Sequence, residues 1–380
     1  MSGACADCLR RGYLLGDLAA HVERSVGARA GERARDLLGL DDEALALAVA
    51  PTDHRQRAAA AARRAEEGGA WPGGWSTCTH RAGLPPGQAA LGPAGPRALW
   101  GTGDRELITA LDPERAVTIV GARRAGAYGR EVAFELGRTL AAAGIVVVSG
   151  MAMGIDSAAH EGALAGGGPT VAVLGPGAER AYPRSARGLY GRIRGNGAVV
   201  SELPAGTPTF RWMFPARNRL MAAFAGVTVV VEAAERSGSL ITAEMAVEAG
   251  RTVGAVPGPV NSWRSSGTNR LLADGAAVIR DARDVLDQLL GPGASIAPPS
   301  GPPLTEEGVQ ALAAVESGAA TADAVAGAAR LGFTATLVAL ARLERDGYVR
   351  GERSGRWSRT ALAPPDGERR RACGADIQGL

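Results

Sequence analysis

The stretch VTIVGARRAGAYGRE, residues 117–131, decides the fold. Its first four residues are an apolar, β-branched run without polar alternation, the pattern of a strand buried on both faces of a parallel sheet. Gly121, Gly126 and Gly129 follow, leading into a helical stretch over 129–143. Strand, glycine turn and helix together form the repeating unit of a doubly wound α/β protein.

Working outward, the same alternation recurs. Short apolar runs at 145–148, 170–174, 198–200, 227–231, 252–256 and 277–279 predict strands, with a helix at 155–165 and another opening near Leu240. The reading is an extended Rossmann-like, doubly wound, mostly parallel sheet over residues 98–290. Residues 1–67 read as a helical lobe, with Leu14, Leu15, Leu18 and Val22 at helical spacing and Asp41-Asp42-Glu43 opening a further helix. Residues 68–97, rich in Gly, Pro and Trp, read as a linker or irregular lobe belonging with that segment. The Pro/Gly stretch 291–303 predicts a linker. Helical patterns at 305–315, 321–329 and 334–346, then a strand-turn-strand signal through Tyr348 and Trp357, give the outline of a winged-helix domain over 304–360. The Pro/Gly/Arg-rich tail 361–380 predicts disorder.

The chain has 380 residues, 46% of them apolar and 21% charged, enough to bury a core. All 42 basic residues are arginine, which excludes a P-loop lysine and a Schiff-base lysine. A net charge of +3 exerts little long-range pull on a polyanion, so binding one would require a local arginine cluster. Four cysteines do not form the even framework of a small secreted domain, and the first 30 residues carry too many charges for a secretory h-region. The expected setting is reducing cytoplasm, without membrane contact. Gly, at 54 residues, is about twice its usual ~7% share, which weakens disorder arguments from composition.

Four segments carry candidate chemistry. At the first glycine turn, Gly121 allows close backbone approach while Arg123 and Arg124 add charge, so a phosphate cradle competes with a turn needed only for packing. The second strand ends in Ser149-Gly150 rather than an acidic residue, which counts against NAD. In SGMAMGIDSAAHEGAL, residues 149–164, Asp156 and His160 are spaced for a proton-transfer dyad, but an N-capping Asp with a helix-surface or packed His is the favoured reading. Residues 179–219 hold eight arginines against Glu179 and Glu202. There Phe210, Trp212 and Phe214 interleave with Arg211, Arg217 and Arg219, a mixture that suits phosphate contact with base stacking on single strands, although a solvated face over core aromatics fits too. Ser237-Gly238-Ser239 with Thr242 make a second helix-start cradle, or simple capping.

Six ordered blocks resemble the DNA-processing protein A family (DprA, also called Smf): IVGARRAGAYG (119–129), SGMAMGIDSAAHEGAL (149–164), AVLGPGAERAYP (172–183), SELPAGTPTFRWMFPARNRLMA (201–222), VVVEAAERSGSLITAEMA (229–246) and VPGPVNSWRSSGTNRLLADGA (256–276). The resemblance implies a non-enzymatic, dimeric protein that binds and protects single-stranded DNA and loads the RecA recombinase onto it in natural transformation and recombination. It implies DNA contacts at Arg123, Arg211, Phe214, Arg217 and Asn218, and the turns and arginine-rich segment read above extend the expected DNA-binding set to Gly121, Arg124, Ser149, Gly150, Arg219, Ser237, Gly238, Ser239 and Thr242, with no catalytic residue and no required cofactor. Departures from the family text at Ala122, Ala125–Ala127, Ser185-Ala186 and Ala223–Ala225 remove individual contacts, and a helix-hairpin-helix with a GIG turn is not found. The alternatives are a related Rossmann-like hydrolase of nucleoside monophosphate N-glycosidic bonds, with Glu244 as its carboxylate, or a nucleotide sensor.

The amino-terminal segment supplies Cys5-x-x-Cys8 and Cys78-x-His80, a Cys3His set suited to a structural tetrahedral zinc. Free buried cysteines are the competing reading.

Overall fold

The computed structural model describes residues 3–27, 30–68, 71–81, 83–293, 301–351, 355–359, 362 and 364–365. From the amino end run α1 (Ala6–Val26), α2 (Ala30–Gly39), α3 (Asp42–Val49) and α4 (His54–Glu67), then β1 (Trp75–Cys78), β2 (Ala98–Gly103) and the short α5 (Arg105–Thr109). The alternation continues with β3 (Ala116–Val120), α6 (Ala127–Ala142), β4 (Val146–Ser149), α7 (Ile155–Ala165), β5 (Thr170–Val173), α8 (Arg187–Asn196) and β6 (Ala198–Ser201). It closes with α9 (Met213–Phe224), β7 (Val227–Val230), α10 (Gly238–Glu248), β8 (Thr252–Ala255), α11 (Ser266–Ala273), β9 (Ala277–Val278) and α12 (Ala282–Leu290).

These strands form one nine-stranded sheet in the order β1-β2-β6-β5-β4-β3-β7-β8-β9. All pairings from β6 to β9 are parallel, while β2 joins β6 and β1 joins β2 antiparallel. The chain winds outward from β3 to β6 and then returns to β7 on the other side of β3. The doubly wound reading is therefore observed, with its switch point between β3 and β7. Val117 pairs with Val147 on one side and Val227 on the other, and all five residues of β3 are buried. Helices α6 and α7 cross at backbone distance, because a Cβ on Gly137 would lie 2.3 Å from the Ala159 carbonyl oxygen.

The amino-terminal segment differs from its sequence reading. Residues 68–97 contain β1, and the run ALWGTG, not anticipated as a strand, forms β2. Two glycines hide β2 in the sequence, Gly103 because its φ of +88° and a Cβ that would lie 2.3 Å from the Gly197 carbonyl oxygen demand glycine, Gly101 because of a ring. Gly101 pairs with Trp75, whose ring lies where a Cβ would stand, 2.3 Å away. Trp75 Nε1 then donates to the Gly103 carbonyl at 2.9 Å. The helices α1–α4 pack on the same body, since Trp100, Trp212 and Met213 share a core with Leu14, Leu18 and Leu45. Residues 1–294 accordingly form one compact unit rather than two. Among the described residues, no single helix is long and apolar enough to cross a membrane.

The second compact unit, residues 295–380, contains α13 (Glu306–Glu316), α14 (Ala322–Ala329) and α15 (Phe333–Arg345), then an antiparallel pair, β10 (Val349–Gly351) and β11 (Trp357–Arg359). Its core gathers Leu312, Val325, Leu340, Leu343 and Tyr348. Residues 294–300 of the predicted linker lie outside the described residues. So does the predicted disordered tail, 361–380, apart from residues 362, 364 and 365.

Candidate nucleic-acid interface

At the switch point, the carboxyl ends of β3 and β7 open onto the two glycine-bearing turns. The Ala122 amide donates to the Glu232 carbonyl at 2.7 Å, and the Ile155 amide to the Ala122 carbonyl at 3.3 Å. These bonds pin the turn after β3 between the end of β7 and the start of α7. Gly121 is required there, because a Cβ would stand 2.6 Å from Ile155 Cγ1.

The anion at the start of α6 belongs to the protein itself. Buried Glu232 accepts from the Gly126 amide at 2.9 Å, and a Cβ on Gly129 would come within 2.7 Å of its carboxylate. A carboxylate at a helix amino terminus is stabilised by the unpaired N–H groups and the helix dipole. The phosphate cradle expected at this helix start is thus filled by a side chain from the end of β7. Glu232 had no role in the sequence reading.

A cleft of about 390 Å³ lies beside it, lined by Gly121, Arg123, Ala152, Asp156, Phe214, Arg217, Asn218 and the turn Ser237–Thr242. Arg123 is exposed, and its guanidinium carbon sits 5.4 Å from the Phe214 ring centroid. Tyr182 meets the same ring at 5.1 Å between centroids, tilted by 37°. The three side chains make a cation–aromatic–aromatic ladder, a surface on which a base can stack. Tyr182 is a second member that sequence reasoning missed, although it stands in the AYP text of the third block.

In the same lining, Ser237 caps α10, its hydroxyl accepting from the Ser239 amide at 3.4 Å and meeting the Ser239 hydroxyl at 2.7 Å. Asn218 Nδ2 donates to the Gly238 carbonyl at 3.5 Å. Thr242 also lines the cleft, and its hydroxyl is buried without a hydrogen-bond partner among the described residues. A buried polar atom is rarely left in that state without a ligand or water to meet it.

The remaining predicted residues divide by burial. Arg217 lines the floor, 7% exposed, donating to the carbonyls of Gly150 and Val173 and to Asn218 Oδ1, with Asp156 at 3.8 Å. Burial pulls the Arg217 guanidinium down to about 10, against the attraction of Asp156, so it stays charged at neutral pH. Burial likewise raises the Asp156 carboxyl, with Arg217 opposing the shift. Arg219 is a correction. It is 1% exposed and held by Glu202 through two 2.7 Å bonds, so it braces the fold away from the cleft. Ser149, which donates to the Ile119 carbonyl at 2.6 Å, and Gly150, packed under Arg217, are also buried supports that do not line the cleft. Arg124 and Arg211 are exposed and lie outside the lining.

Asp156 and His160 form no dyad. Asp156 turns to Arg217, whereas fully buried His160 hydrogen-bonds the Thr170 hydroxyl at 2.7 Å. Burial, followed by the Arg217 charge, lowers the His160 imidazole to about 3, so it is neutral. The packed-His half of the favoured reading holds, but the N-cap of α7 is Gly154 rather than Asp156. Far from this cleft in sequence, Cys5, Cys8, Cys78 and His80 do come together, with the His80 Nδ1 3.4 Å from the Cys5 sulfur.

Fold and cleft together define a class, a doubly wound α/β protein with an arginine–aromatic ligand cleft at its switch point. The model of the family described as DNA recombination-mediator protein A matches residues 79–290, and the chain belongs to that family. A relative from Mycobacterium tuberculosis that carries the DprA name is 41% identical over 273 residues, covering 69% of this chain and 68% of that protein. The solved structure of DNA processing protein A from Streptococcus pneumoniae superposes with a TM-score of 0.55 at 28% identity, covering 70% of this chain and 95% of that one. A structure of the Helicobacter pylori protein, described as giving insight into a single-stranded DNA binding mode, has a TM-score of 0.51 at 30% identity over 57% of this chain and 95% of that one.

Proposed function

We propose that this chain is a single-stranded DNA-binding recombination mediator that protects incoming strands and loads RecA onto them. The observation that carries the reading is Arg123 over Phe214, with Tyr182 beyond, in a cleft that the Ser237–Thr242 turn also lines. A guanidinium beside a stacking ring suits one phosphate and one unpaired base, whereas a duplex keeps its base faces covered. The single-stranded DNA binding mode described for the Helicobacter pylori relative supports the same ligand.

The role is non-enzymatic. The buried carboxylates nearest the cleft are committed, Asp156 to Arg217 and Glu232 to the start of α6. Glu244, the carboxylate of the hydrolase alternative, is solvent-exposed and outside the lining. We place the protein in the cytoplasm as a homodimer, with residues 304–360 acting as a winged-helix module. In that module α15 exposes Phe333, Leu337 and Val338, which favours protein contact over duplex reading.

The test is fluorescence anisotropy of a labelled strand of about 20 nucleotides against its duplex, chased with nucleoside monophosphates. Strand preference that mononucleotides displace poorly supports the proposal. Displacement at equal affinity would indicate the sensor, and release of free base would indicate the hydrolase.

A further inference from the structure

Outside the cleft, one cluster of metal-ligating side chains has no part in the proposed DNA contact. The sulfurs of Cys5, Cys8 and Cys78 all lie within 4.8 Å of one another. Cys5 and Cys78 sulfurs are 3.8 Å apart, and His80 Nδ1 is 3.4 Å from the Cys5 sulfur and 3.5 Å from that of Cys8. A tetrahedron with Zn–S of about 2.3 Å and Zn–N of about 2.0–2.1 Å has S···S edges near 3.8 Å and S···N edges near 3.5 Å. The Cys5–Cys78 separation and the two from His80 Nδ1, to Cys5 and to Cys8, fall on those edges, and the other sulfur pairs lie within 4.8 Å. The Cys5–Cys78 distance is nearly twice a disulfide bond length of about 2.0 Å, and all three cysteines are free.

We infer that Cys5, Cys8, Cys78 and His80 bind one structural zinc ion. Cys5 is the N-cap of the 21-residue α1 and Cys8 lies in its first turn, so one helix end presents both sulfurs. The Cys5 amide donates to the Cys78 sulfur at 3.3 Å, an N–H···S bond that fixes a ligand from outside the metal shell. Cys78 ends β1, and a turn closed by the Gly83 amide on the Cys78 carbonyl at 2.9 Å carries His80 back towards the sulfurs. Four protein ligands close the coordination sphere, which marks a structural rather than a catalytic site.

The ion would do mechanical work. It ties the start of α1 to the end of β1 across 73 residues. β1 is the edge strand of the sheet, and besides the cysteine contacts a hydrogen bond of 3.1 Å from the Ala4 amide to the Ser76 hydroxyl joins the two segments there. Closing so long a loop stabilises the lobe chiefly by restricting the unfolded chain.

The experiment uses the full chain, purified under reducing conditions without chelator, with metal content measured by plasma mass spectrometry. One zinc per chain is expected in the parent and in Cys373→Ser, with background content in Cys78→Ser. Should Cys78→Ser fail to fold, His80→Ala serves instead. His80 is exposed, so that variant keeps the fold while its zinc affinity, read by chelator competition, falls tenfold or more. Cobalt should give the visible absorption of a tetrahedral thiolate site and a Tm above that of the metal-free chain. A reduced chain that takes up neither zinc nor cobalt overturns the inference, as would His80→Ala and Cys78→Ser that bind like the parent.

Discussion

Arg217 and Asp156 face each other at 3.8 Å beneath the cleft, their side chains only 8% and 6% exposed. The guanidinium also holds the carbonyls of Gly150 and Val173, joining the ends of β4 and β5 to α9. Its charge is therefore half spent within the protein, and its first duty is to hold the cleft floor in place.

Arg217→Met should consequently act on stability before affinity. Removing one partner of a buried pair typically costs about 3–5 kcal/mol, because the other charge is left uncompensated. Urea unfolding should show a loss of that order. The double variant Arg217→Met/Asp156→Asn should recover part of it, since only the carbonyl partners then remain unmet. A single variant as stable as the parent would contradict this role.

Phe214→Ala removes the ring shared by Arg123 and Tyr182. Stacking contributes about 1–3 kcal/mol per base, so affinity for a single strand should fall roughly 5- to 150-fold. No charge is removed, and the slope of log affinity against log salt should stay as in the parent. An unchanged affinity in anisotropy titrations would remove the ring from the interface.

His160 makes stability fall in acid. Its imidazole sits at about 3 in the fold against about 6.5 when unfolded, so the unfolded chain gains a proton that the folded one refuses. The full contribution is present above about pH 6.5 and is lost towards about pH 3, at up to ~1.4 kcal/mol per pH unit. Denaturation of the parent and His160→Gln at pH 7 and pH 5 isolates the effect, since the variant lacks this proton uptake. Equal pH slopes in the two proteins would contradict it.

The central sheet was legible because β3 to β7 are apolar, largely β-branched runs buried along their whole length, a pattern that sequence carries directly. β2 was not, because the glycine that lets Trp75 lie across it reads as a turn until its partner is known. The cleft was legible at Arg123, Phe214, Asn218 and the Ser237 turn, all within the six ordered blocks. Burial of the arginines was less so. Counting charges over 179–219 cannot tell exposed Arg211 from Arg219, whose carboxylate partner Glu202 is 17 residues away and meets it only in the fold. Glu232 was hidden for the same reason, its amide partner Gly126 being 106 residues distant. The cysteine half-motifs, 73 residues apart, could be read as one site only because their residue types complete a ligand set.

Arg123→Ala tests the central claim most directly, since no carboxylate is paired with Arg123 among the described residues and its exposed side chain can be removed without disturbing the core. Binding of a labelled single strand would be titrated at several salt concentrations for parent and variant. The account predicts a tenfold or larger loss of affinity at low salt, a salt slope shallower by about 0.7 for one lost phosphate contact, and an unchanged Tm. A variant that binds with the parent's affinity and slope would contradict it and move the interface away from the switch point.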